Sequence, residues 1–355
     1  MSYTNGLDNP ELYFQTKLYT GNGSTNHAIT LDGDENMQPD WSWIKQRSGA
    51  EWHILIDSVR GVTKYINSNN YGAERTSSNF IESFDSNGFT LGSANDTNQN
   101  SQTYASWNWK AGTSFTNDAS STGIGTIDST GSASDTAGFS IVSCVGTGSA
   151  GTVKHGLSSA PTVIFAKDRE STQNWQVYHS GLGAANRYLE LNSTAAYADG
   201  YAHFGGTAPT SSVFSLGAVA GINASGNDGI AYCFSEVKSF SKFSSYVGNG
   251  NADGTYVHLG FKPAFVMTKK TSSGTARNWC ILDNKRSSSG ANVVDDRLFP
   301  NLADAEDSST SADFLSNGIK FRDNAGEFNQ PVSYIYMAFA ENPFVTSTGV
   351  PATAR

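Results

Sequence analysis

At 355 residues, with 37% apolar and 12% aromatic residues but only 15% charged, the chain has room for two or three domains and suits half-buried strands. Its 23 basic residues against 32 acidic ones leave a net charge of -9, scattered along the chain, which argues against nucleic acid as a partner. Cys144, Cys233 and Cys280 are too few and too far apart for a disulfide framework or a zinc site, and no apolar run reaches the ~18 residues of a membrane span.

In chain order, residues 1–18 read as an extended docking segment without the basic then apolar order of an export signal, so a soluble protein is expected. The phrase YTGNG from Tyr19 opens a first unit, expected over 19–112. Within it Trp41, Trp43 and Lys45 follow Pro39 at steps of two, the period of one strand face. Proline suits a strand start, where no ladder donor is needed, and the lysine is expected to reach water with its ammonium. A polar gap and a second alternating run, Trp52, Ile54, Ile56, predict an antiparallel hairpin with a tryptophan at its base. Asn87-Gly88 marks a turn, and YASWNWK from Tyr104 closes the unit with another strand.

The Gly-, Ser- and Thr-rich stretch 113–138 predicts a linker or long loop. The same wording then returns twice, over 139–240 and 241–344, before a C-terminal tail at 345–355. Pro161 leads Val163, Phe165 and Lys167, and Pro263 leads Phe265, Met267 and Lys269. The second runs are Trp175, Val177, His179 and Trp279, Ile281, Asp283. Only the stretch from Asn301 offers a turn or two of helix; elsewhere period two dominates. The fold class expected is therefore all-β: three tandem related antiparallel β-sandwich units, jelly-roll-like, set in series with separate cores.

Chemistry-bearing residues are sparse. The tryptophans at 41, 43, 107 and 109 are expected in a core, because their counterparts in later copies are Val163, Phe165, Phe265 and Met267. Tyr197, Tyr201 and His203, in a glycine-flanked loop unique to the second copy, form the candidate glycan-binding loop. Asp32, Asp34 and Asn36 begin like a calcium loop, but Met37 and Trp43 break the EF-hand pattern, so no metal is expected. Asp295, Asp296 and Asp304 read as a solvated acidic patch. His53, His155, His179 and His258 lack any nucleophile context, and no catalytic residue or cofactor is expected.

The run from Tyr13 to Lys110 also carries ordered phrases: YF-x-T-x-x-YTGNGST, then QPD with Ile44, Lys45 and Arg47, then Asp57 to Arg60 in DSVRG. In these it resembles structural proteins of tailed bacteriophages, notably marine and cyanobacterial ones. LDGDEN, between the first two phrases, is longer than that pattern. The resemblance implies a non-enzymatic virion protein: a tail fibre, spike or adaptor in host attachment. Its partners would be other virion proteins, further copies of itself, with a trimer as one such assembly, and a host surface glycan. A capsid decoration or head fibre, and a glycan-degrading tailspike, stand as alternatives.

Overall fold

The computed structural model describes residues 7–272, 274–287 and 292–351. The first unit runs through β1 (Phe14–Thr20), β2 (His27–Thr30), β3 (Trp41–Gln46), β4 (Ile54–Asp57), β5 (Lys64–Tyr65), β6 (Arg75–Thr76), β7 (Ile81–Asp85), β8 (Gly88–Leu91) and β9 (Thr103–Trp109). Next come β10 (Thr113–Asn117), β11 (Ser129–Ser134), β12 (Phe139–Val145), β13 (Gly151–Lys154), β14 (Val163–Asp168), β15 (Gln176–His179), β16 (Arg187–Glu190), β17 (Ala198–Asp199), β18 (Val213–Leu216) and β19 (Asp228–Phe234). The third contains β20 (Ser241–Val247), β21 (Tyr256–His258), β22 (Phe261–Lys270), β23 (Cys280–Asp283), β24 (Val293–Arg297), β25 (Asp307–Leu315), β26 (Gly318–Phe321) and β27 (Ser333–Pro343). Among the described residues these strands pair antiparallel, and no helix is long and apolar enough to cross a membrane.

One strand order recurs: β1-β9-β3-β4, then β12-β19-β14-β15 inside a larger sheet, then β20-β27-β22-β23. In each case the closing strand lies between the opening strand and the proline-led strand. The smaller sheets β2-β8-β7, β13-β18 and β21-β26-β25-β24 accompany them, with local cores around Phe89, Phe214 and Phe321. The prolines at 39 and 161 sit just before β3 and β14, whereas Pro263 lies inside β22, where the register against β27 shifts.

The opposite face of each inner sheet is also buried, against a fourth core common to all three units. Trp109, Phe234 and Phe339 hold matching places on β9, β19 and β27, and their rings form a triangle with centroid separations of 6.5, 5.9 and 5.7 Å. The units therefore ring an aromatic axis instead of standing in a row, and each keeps a core of its own beside the shared one. Both faces of β3 are buried, so its polar Ser42 needs an internal partner, which Asn108 supplies at 2.7 Å.

Three expectations about the segments change. Residues 113–138 are not a linker, because β11 pairs with β12 from Ser129↔Cys144 to Ser134↔Phe139 and β10 pairs with β11. Its small residues have a packing reason: a Cβ on Gly131 would sit 2.2 Å from the Ile141 carbonyl oxygen. Nor is 1–18 wholly a docking segment, since Phe14 is buried in the shared core and Leu7 N–H donates to Lys238 O; residues 1–6 lie outside the described residues. The stretch from Asn301 leads into β25, not a helix. In the C-terminal tail Val345 bridges Pro351 and Ser347 bonds Asp8, while 352–355 lie outside the described residues.

Candidate functional site

Each proline-led strand carries a lysine on its shared-core face near its far end. The lysines do not reach water, because the neighbouring loops close over them and offer carbonyl oxygens instead. Lys45 Nζ donates to Gln46 O and Gly49 O at 2.6 and 3.0 Å. Lys167 Nζ donates to Gln173 O and, in the first unit, Tyr71 O, at 2.7 and 3.3 Å. Lys269 Nζ donates to Arg277 O and, in the second unit, Thr194 O, at 2.6 and 2.9 Å. Burial pushes the three ammonium groups down to about 8, 8 and 7 respectively.

Two residues beyond each lysine, the backbone binds the next unit: Glu306 N–H to Arg47 O, Glu74 N–H to Arg169 O, and Tyr197 N–H to Thr271 O. At the first two seams the side chains add ion pairs. Glu74 bridges Arg169 and Arg60, and Glu306 bridges Arg47 and Arg286. Arg60 and Arg286 are themselves paired with the buried Asp57 and Asp283 at the ends of β4 and β23. Asp57 accepts the Tyr232 hydroxyl at 2.7 Å, and Asp283 accepts the Trp107 indole N–H at 2.9 Å, so each carboxylate joins two units. Asp296 belongs to this network, 3.7 Å from Arg47, and is buried in β24 instead of lying in a solvated patch.

The seam between the second and third units is built differently. His179 ends β15 where the others have aspartate; its Nδ1 accepts Gly181 N–H, so Nε2 carries the proton and donates to Tyr336 O at 3.1 Å. Tyr197 stands where the other seams have glutamate, half-buried against the shared core with Arg187 4.3 Å above its ring. Of the candidate glycan loop, Tyr197 is thus a seam residue. His203 packs edge-on against Tyr188 at 4.4 Å, and burial lowers its pKa. Tyr201 alone stands out, 72% exposed.

Sequence spacing placed Trp52 with Trp175 and Trp279, but the structure gives that place to His53. Trp175 Nε1 donates to Asn67 O and Trp279 Nε1 to Glu190 O, both across a seam. His53 Nδ1 accepts the Trp43 indole N–H, leaving Nε2 to donate across the seam between the first and third units to Phe299 O. Trp52 turns outward, 38% exposed, with Arg75 4.8 Å above its ring. Sequence reasoning also missed Asn98, Asn223 and Asn329. Each is buried and accepts the N–H of Asn22, Thr147 or Asn249, clasping the entry loops of the three units. The matching glycines Gly23, Gly148 and Gly250 take φ near +70°, and a Cβ on Gly21, Gly146 or Gly248 would meet a carbonyl oxygen at 2.2–2.3 Å.

A family model described as a domain of unknown function, DUF7483, matches residues 9–343. The chain belongs to that family. No curated protein and no solved structure matches it. In this DUF7483 domain the lysine-bearing ends of the sheets gather the loops that carry Trp52 and Tyr71, the latter 61% exposed. The crossings between units and the described chain ends gather at the opposite end, where Asp8 meets Ser347. Asp32 is paired with Lys17 at 3.1 Å, and no group of three or more His, Cys, Asp or Glu among the described residues is placed to hold a metal ion. Cys233 and Cys280 are buried, Cys144 partly so, and all three are free.

Proposed function

We propose that this DUF7483 chain is a non-enzymatic structural component of a tailed-phage virion, acting as a tail fibre, spike or adaptor in host attachment. The ordered phrases between Tyr13 and Lys110 support the virion assignment. The observation that carries the attachment role is the polarity of the body: chain ends and crossings at one end, exposed Trp52 and Tyr71 loops at the other, with one shared aromatic core between them. A core shared by all three units leaves no linker-like hinge between them, so force or orientation applied at one end is delivered to the other. The described units close their core within one chain, so copies of the chain would add valency, not complete the fold.

Immunogold labelling and cryo-microscopy of purified particles test this. Label on the tail is expected. Label spread over the capsid would replace the attachment role with decoration, and absence of the chain from particles would overturn the virion assignment. New reducing ends after incubation with host polysaccharide would make it a depolymerase.

A further inference from the structure

A cavity of about 490 Å³ opens in the seam where the third unit returns to the first, between β1 and the ends of β22 and β27. The buried Phe14, Ala264 and Ala340 contribute its apolar lining. The rest is polar: Glu11, Asp34, Asn284, Lys285 and Glu341 line it. Thr16 also lines it and is only 4% exposed, yet its Oγ1 has no partner. Asn284 spends its Nδ2 on Glu341 at 2.8 Å, and its buried Oδ1 is likewise unpartnered. Both atoms are closed off from water, so what a ligand in the cavity can meet is the carboxylates, the amides and Lys285 of the lining.

The walls select what can enter. Lys17 and Lys262 are committed to Asp32 and Glu341, so Lys285 faces an excess of carboxylate and an anion is repelled. An apolar ligand would strip water from these groups and return nothing. A polyhydroxylated ring instead donates hydroxyls to the carboxylates, accepts from lysine, and lays C–H groups on the alanine and phenylalanine lining. The volume falls within the range of small-ligand sites, ~300–1,000 Å³. We propose that this cavity binds a neutral, hydroxyl-rich ligand, namely an uncharged sugar residue. The inference does not rest on the attachment role, because the cavity lies beside the chain ends and not at the exposed loops.

Saturation-transfer NMR of the full chain with galactose, glucose, mannose and N-acetylglucosamine, with glucuronate as the anionic control, tests it. At least one neutral sugar should bind with a dissociation constant of about 1 mM or somewhat weaker, and glucuronate about tenfold more weakly still. Asp34→Ala and Asn284→Ala should each weaken binding about tenfold; Asp34 is exposed, so its variant is expected to melt with the parent protein. No saturation by any neutral sugar, which would leave water as the only occupant, overturns the proposal. So does binding that both variants retain, or glucuronate binding equally well. A tail-located chain that binds no sugar sinks only the cavity proposal, whereas a sugar-binding chain absent from particles sinks only the attachment role.

Discussion

Trp107 Nε1 donates to Asp283 Oδ2 at 2.9 Å, joining the central strand of the first unit to the hairpin end of the third. The same carboxylate holds Arg286, whose guanidinium is buried and also lies 5.6 Å from the Trp107 ring centre. Removing the carboxylate leaves a buried cation with only Glu306 for charge compensation. Asp283→Ala is therefore expected to cost about 3–5 kcal/mol, measured by urea unfolding. Trp107→Phe, which keeps most of the packing but orphans one acceptor, should cost about 1–3 kcal/mol. A loss below ~1 kcal/mol for Asp283→Ala would mean that this seam does not hold the ring closed.

The register of β4 gives a second test. Trp175→Ala and Trp279→Ala remove buried indoles and seam hydrogen bonds, and each should cost about 3–5 kcal/mol. Trp52→Ala removes an outward ring and should stay within about 0.5 kcal/mol. Equal losses at Trp52 and Trp175 in thermal or denaturant unfolding would restore the alignment suggested by tryptophan spacing.

That contrast shows where residue patterns inform and where they mislead. Alternation after Pro39, Pro161 and Pro263 marked one strand face correctly, because side chains in a strand change sides at every residue. The ring arrangement was hidden because the second face of β3 carries Ser42 and β9 carries Asn108, polar residues that read as solvent-facing but bond each other inside. Trp52 attracted the alignment by its bulk, although Asp57, four residues past His53 as Asp283 is past Trp279, held the true register. The place of Tyr197, in the candidate glycan loop, was hidden for a related reason: it occupies a position that is glutamate at the other seams, which only the cross-unit backbone bonds identify. The cavity beside Thr16 had no sequence signal, being assembled from residues more than two hundred positions apart.

Limited proteolysis separates the strand reading of 113–138 from the linker reading. Thermolysin, which cuts before large apolar residues, should leave Phe115 and Ile127 intact under native conditions, because β10 and β11 are tied into the sheet through β12. An early cut there that yields fragments of roughly one-third and two-thirds of the chain by mass spectrometry would overturn the pairing.

Acid should act on the seam between the second and third units. Burial pushes His179 down to about 4, from an unperturbed value near ~6.5, with the bond to Tyr336 O opposing the shift. Between those two values the unfolded chain binds a proton at this site that the folded chain refuses. Stability therefore rises with pH across that window and is lost as pH falls through it, by about 3 kcal/mol in total. His53, buried at another seam and also held well below its ordinary value, adds a slope of the same sign. Urea midpoints measured between pH 7 and pH 4 should fall accordingly, and in His179→Gln, which retains a side-chain donor for Tyr336 O, the fall should be visibly shallower. An identical slope in that variant would show that His179 titrates normally and that the seam is open to water.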